Sequence, residues 1–305
     1  MTGVQTCALP IYLVSRPGSE IVLRSLDLRR EERFASLAEL DAAKSYRLSL
    51  LALLVKFFAP AGGLEMETDS EAPAGAGISG SSSLMISVAA ALNRLTRRNY
   101  SLAKLREIAQ NVEAQVIRVP TGSQDYYPAM YGGVSAIELS PAGITRHALP
   151  VRAEEMNQRF VLVYTGAPRN SGINNWEVMK GHIDGDRKIR RNFDHIAQAA
   201  NEMRAALAKH DWTEAGRVMR EEWSFRRRNA PGISTPMIDQ LITAARRHGA
   251  TAAKVCGAGG GGCVVVLVEP GAKSRVATAL ADLGARILDA CVAPRGIEMG
   301  VRSRK

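Results

Sequence analysis

The sequence agrees with an α+β fold, and two observations point that way. Apolar runs of strand length, "EIVLRSLDL", "FVLVYTG" and "CVVVLVEP", stand far apart along the chain. Between them lie stretches with helical spacing: one from about Leu40, one from about Ser82, two long ones reaching to about His248, and a last one in "AKSRVATALADLG". With 305 residues and 46% hydrophobic content the chain can form one large or two ordinary domains with a full core. The expected border lies near 150 to 160, around "HALPVRAEEMNQ".

The first helical stretch, "LSLLALLVKFFAPAGG", is interrupted by Lys56 and ended by Pro60, so it reads as a soluble helix and no membrane partner is expected. Cys7, Cys256, Cys263 and Cys291 have neither the density of a stapled protein nor metal-ligand spacing. A reducing cytoplasm fits them. The net charge of +10 is scattered, and its densest runs, "RRNFD" and "FRRRN", are not interleaved with aromatics. Nucleic acid is therefore the weaker partner, and a small anionic substrate the stronger. The five histidines are dispersed and take no role.

Strand by strand and loop by loop, the densest signal is "KVCGAGGGGC", Lys254 to Cys263. Glycine gives up more conformational freedom on folding than any other residue, so such a run marks positive φ or the close approach of another body. The run feeds the β-branched stretch from Val264 to Val268, which Pro270 closes, so the glycines form a loop before a core strand. Cys263 reads as a buried hydrophobe.

A second loop, "DSEAPAGAGISGSSS", enters a helix with Leu84, Ser87, Val88, Leu92 and Leu95 on its spacing, which sets Ser81 to Ser83 at the helix start. Unpaired N–H groups and the positive end of the helix dipole make such a place an anion site. The alternative is an N-cap after a flexible loop. No Gly-Lys-Ser/Thr follows either loop, and no dinucleotide fingerprint can be assembled around them.

"PAGAGISGSSSL" resembles the second motif of the GHMP kinase superfamily, "KVCGAGGGG" resembles its third, and "VEAQVIRVPTGSQDYYPAMYGG" resembles the sugar-kinase stretch between them. The resemblance runs from about Tyr12 to near the end, and "FVLVYTGAPRNSG" and "EEWSFRRRNAPGISTPMID" are most similar to the D-glycero-D-manno-heptose 7-phosphate (anomeric) kinases. It implies a GHMP kinase fold: a mixed-sheet N-terminal domain of the ribosomal protein S5 domain 2 type over 12–155, and a ferredoxin-like C-terminal sandwich over 156–305. Residues 1–11 are expected to be a non-native leader, because "MTGVQTCALP" resembles translated sequencing adapter, and the family's first motif is missing before Tyr12.

The implied activity is transfer of the ATP γ-phosphate, with Mg²⁺, to a hydroxyl of a sugar or sugar phosphate, the anomeric one by closest resemblance. The resemblance assigns Pro73, Gly75, Gly77, Gly80, Ser81, Ser82 and Ser83 to ATP, Ser81 and Glu113 to the metal, and Asp125 to catalysis. It assigns Thr121, Gln124, Arg169, Gly259, Gly260 and Gly261 to the substrate. These assignments suit a reaction that is mainly positioning and charge neutralisation, in which Mg²⁺ keeps several waters and needs few protein oxygens. Asp125 could act as base or merely orient the hydroxyl. The alternative for Glu113, at the end of "SLAKLREIAQNVE", is a solvated helix-end acid, and Arg226 to Arg228 read as a solvated helix face.

Departures from the family pattern are Ile78-Ser79-Gly80 in the second motif, and Ser123 where the heptose kinases tend to carry Lys. Other acceptors therefore stay open, as in galacto-, fuco- or arabinokinases, and so does a catalytically inactive relative that binds nucleotide or sugar. A homodimer is the self-association allowed for.

Overall fold

The computed structural model describes residues 11–169 and 171–300, and of 171–174 the backbone alone. The expected leader lies outside these residues except for Ile11. Contact in space groups the chain into two compact units. One holds 11–71, 80–131 and 295–300; the other holds 72–79 and 132–294. The border expected from the family, between 155 and 156, divides the chain once, whereas these units interleave.

The first unit contains β1 (Ile11–Arg16), β2 (Ile21–Ser25), β3 (Arg30–Phe34), α1 (Leu37–Ala42), α2 (Ser49–Phe58), β4 (Gly63–Thr68), α3 (Gly80–Leu95), α4 (Leu102–Ile117) and α5 (Tyr126–Tyr131). Its sheet has the order β1-β4-β2-β3, with β2 and β4 parallel and the other pairs antiparallel. Alternation decides the faces. Leu64 and Met66 of β4 join Ile21 and Leu23 of β2 in a core closed by Leu54 and Phe58 of α2, Met85 and Ile86 of α3, and Leu105 and Val112 of α4. Glu65, between those core residues, instead takes Arg16 and Arg24 as partners from the neighbouring strands.

The second unit contains β5 (Ser135–Ser140), β6 (Gly143–Ala148), α6 (Ala153–Arg159), β7 (Phe160–Tyr164), α7 (Ser171–Ile183), α8 (Arg187–Ala208), α9 (Trp212–Arg226), α10 (Pro236–Arg247), β8 (Ala250–Val255), β9 (Cys263–Val268), α11 (Lys273–Ala281) and β10 (Arg286–Leu288). Strands β5 and β6 form a hairpin, and the others an antiparallel sheet ordered β10-β7-β9-β8. The valine run of β9 serves two cores at once. Val264, Val266 and Val268 face Trp223, Leu241 and Val276, while Leu267 faces Leu207 and Met219.

Three expectations need correction. The two long helical stretches before His248 are four helices, α7 to α10, because Asp186, Asp211 and Thr235 each turn a side-chain oxygen onto the first N–H groups of a new helix. The strand in "EIVLRSLDL" ends at Ser25. Helix α4 continues past Glu113 to Ile117, so this acid does not lie at a helix end.

Candidate active site

The first unit gathers hydroxyls around one carboxylate. Glu113 shares the buried stripe of α4 with Leu105, Ala109 and Val112, and it is only 5% exposed. A carboxylate there must be paired or hydrogen-bonded. Ser81, in the first turn of α3, donates its hydroxyl to Oε1 at 2.6 Å; Ser82 donates to Oε2 at 3.3 Å, and the Tyr126 hydroxyl donates to Oε2 as well. The solvated-acid alternative is thereby excluded. Burial, then the neighbouring Glu113 charge, pushes the Tyr126 phenol far above its ordinary range, so it stays a donor.

Gln110, one turn earlier on α4, donates to the Thr121 carbonyl at 3.3 Å and to the Ser123 hydroxyl at 2.9 Å. It thus ties the loop carrying Thr121, Gln124 and Asp125 to the same helix that carries Glu113. Asp125 is half-buried immediately before α5, and Gln124 curls over Gly122, whose added Cβ would lie 2.6 Å from Gln124 Nε2. Gln110 was not expected to take part from the sequence. The sequence signal for Tyr126 is its place directly after Asp125; Gln110 carries none.

The second unit laces three segments together. Arg169 N–H donates to the Gly75 carbonyl at 3.1 Å, Gly262 N–H to Ala167 at 2.8 Å and Cys263 N–H to Ala76 at 2.7 Å. The Thr165 hydroxyl donates to the Gly262 carbonyl at 2.9 Å. This is why side chains are excluded: a Cβ on Gly262 would meet the Ala76 carbonyl at 2.5 Å, one on Gly75 would meet Pro168 Cβ at 2.9 Å, and one on Gly259 would meet the Ile233 carbonyl at 2.5 Å. Gly75, Gly77, Gly257, Gly259 and Gly262 also have positive φ. Of the glycines expected at the substrate, Gly260 donates its N–H to Ile233 and Gly261 lies against the Ala167 and Pro168 carbonyls.

The same unit holds a buried ion pair. Lys254 of β8 and Glu222 of α9 meet at 2.6 Å, and Arg226 Nε donates to the other Glu222 oxygen at 2.5 Å. Burial opposes the charge on Glu222, but Lys254 and then Arg226 outweigh it and hold the carboxyl down at about 2. Arg226 is therefore a partner of Glu222 and not part of a solvated face. Burial pushes the Cys256 thiol up to about 11 against the pull of Lys254 and Arg169, which leaves a protonated core thiol. Cys263 is fully buried, as expected.

Two family profiles match the chain in order, the GHMP kinases N terminal domain over residues 44–133 and the GHMP kinases C terminal domain over 203–286, together more than half of it. The chain belongs to the GHMP kinases. Members of this family are phosphotransferases with an alcohol acceptor. Among curated relatives, D-glycero-alpha-D-manno-heptose 7-phosphate kinase of Campylobacter jejuni is 28% identical over 70% of this chain and 64% of its own length. The chain thus matches under two thirds of that enzyme. Mevalonate kinase of Thermococcus onnurineus is 27% identical over 78% of this chain and 69% of its own. The solved Lactococcus lactis galactokinase complexed with galactose shares the fold, with a TM-score of 0.78 at 18% identity over 96% of this chain and 87% of that one.

Glu113 and the two serine hydroxyls bring a carboxylate and two hydroxyl oxygens together. Among the described residues no cluster of three or more His, Cys, Asp or Glu forms a cage. A single carboxylate with hydroxyls suits Mg²⁺, which retains waters and takes its other oxygens from phosphates. Among the described residues, no helix is long and apolar enough to cross a membrane.

Proposed function

We propose that this chain is an ATP- and Mg²⁺-dependent kinase that phosphorylates the anomeric hydroxyl of a sugar phosphate of the heptose 7-phosphate type. The reading rests foremost on the contact between Ser81 and Glu113, 2.6 Å long, because it joins the second family motif to a buried carboxylate 32 residues away. Its domain division is 12–155 and 156–305. Its setting is the cytoplasm, where the free Cys256, Cys263 and Cys291 would stay reduced.

In this reading Pro73, Gly75, Gly77, Gly80 and Ser81 to Ser83 receive the nucleotide phosphates, and Ser81 and Glu113 hold the metal. The metal, when bound, neutralises phosphate charge. Thr121, Gln124 and Gly259 to Gly261 meet the acceptor. Asp125 serves the acceptor hydroxyl, whose oxygen bonds to the γ-phosphorus as the bond to the bridging oxygen breaks and ADP leaves with that electron pair. The hydroxyl proton passes to Asp125 or to water.

The test is ADP release from Mg-ATP against a panel of heptose phosphates, galactose, fucose, arabinose and mevalonate, with Asp125→Asn in parallel. Turnover with a heptose phosphate that falls about 100-fold or more in the variant is expected. Turnover that is unchanged in the variant contradicts the role of Asp125, and preference for mevalonate contradicts the substrate class.

A further inference from the structure

Gly77 and Gly257 differ from the other glycines of the lacework in what they make room for. An added Cβ at Gly257, where φ is +67°, would lie 1.8 Å from Arg169 Nη1 and 3.0 Å from its Cζ. At Gly77, where φ is +77°, it would lie 3.0 Å from Arg169 Cδ and 3.2 Å from its Nε. The stem of Arg169 thus runs along one glycine loop and its guanidinium lies on the other. Both bare positions are filled by an arginine side chain.

Among the described residues the charge around this guanidinium is unbalanced. The nearby cation Lys254 has its own carboxylate at 2.6 Å, and Glu222 is also engaged by Arg226. Arg169 has no carboxylate within 4.0 Å among the described residues, although both it and Lys254 act on the Cys256 thiol. Its position is fixed at both ends, since its own N–H is bonded to Gly75 while its head is confined at Gly257. Holding the long side chain in one place costs rotamer entropy, and the two glycines leave open the space it occupies. A planar guanidinium held so, with no carboxylate partner among the described residues, matches the oxygens of a phosphate.

We propose that Arg169 is a phosphate clamp for the nucleotide, and that Gly77 and Gly257 are glycine in order to seat it. This moves Arg169 from the acceptor, where the sequence put it, to the polyphosphate. The proposal rests on the kinase reading above. It adds no chemical step: the guanidinium donates hydrogen bonds to phosphate oxygens throughout the transfer.

Calorimetry on the full chain with ATP, adenosine and inorganic tripolyphosphate tests it, using wild type, Arg169→Met, Arg169→Lys and Gly257→Ala. The expectation is that Arg169→Met weakens ATP and tripolyphosphate at least tenfold and leaves adenosine unchanged. Arg169→Lys should recover part of the loss, and Gly257→Ala should mimic Arg169→Met without adding to it in the double variant. Thermal melts identify a variant that has lost its fold, in which case Arg169→Lys carries the comparison. Equal ATP binding by wild type and both arginine variants overturns the clamp and leaves the kinase reading standing. So does a loss confined to the Michaelis constant of the sugar phosphate, which would return Arg169 to the acceptor. Failure of wild type to bind any of the three probes overturns both.

Discussion

Glu113 is the residue on which the metal assignment depends. Its carboxylate is buried and already receives three hydroxyls, from Ser81, Ser82 and Tyr126. Glu113→Gln keeps the shape but removes the negative charge and gives Tyr126 a weaker acceptor. The expected outcome is a Mg²⁺ requirement shifted upward about tenfold or more in an activity titration, since a hard cation prefers charged oxygen. An unchanged Mg²⁺ titration would remove Glu113 from the metal site. The glycines carry a different lesson at this scale: most of their bare surface is used by other parts of the chain, as with Gly262 under the Ala76 carbonyl.

Among the elements, α9 and β8 are joined by the Lys254–Glu222 pair, with Lys254 three residues before Gly257 of the third-motif loop. Removing Lys254 leaves the buried Glu222 carboxylate with Arg226 alone, so Lys254→Met should destabilise the fold in urea unfolding, by less than the roughly 3–5 kcal/mol of a fully uncompensated buried charge. Glu222 has a folded value of about 2, below its ordinary 4.5. The stability it contributes is therefore fully present above 4.5 and is lost as pH falls through about 2. Glu222→Gln should flatten the acid limb of stability between those two values. A limb of unchanged steepness would show that the pair contributes nothing there.

Element types were legible where the local pattern was decisive. "CVVVLV" reads as a strand because both its faces are buried, so every position is apolar. β3 and β4, "REERF" and "GLEMET", were not read as strands, because their charged residues belong to a sheet face where Arg24 answers Glu31 and Glu65. The helix starts at Asp186, Asp211 and Thr235 were legible in principle, since each is an N-cap residue type. Among the candidate site residues, Ser81 and Asp125 were read through motif order. The burial of Glu113 lay one step further, in its position four residues after Ala109 on the apolar stripe. Tyr126 and Arg169 could not be placed from spacing, because what they touch is far away in sequence.

At the scale of the whole molecule, both family profiles and the shared fold of solved kinases make the chain a GHMP kinase, while relatives named for a heptose phosphate, mevalonate and galactose leave the acceptor to the residues of this chain. The central claim is that phosphate passes from ATP to a sugar phosphate. Its most direct measurement is phosphorus NMR of the full chain incubated with Mg-ATP and a heptose 7-phosphate, with galactose and mevalonate as parallel acceptors. The account predicts a new anomeric phosphate resonance that grows as ADP appears, only with the sugar phosphate. ATP bound but unconsumed with every acceptor, or a product from mevalonate alone, would contradict it.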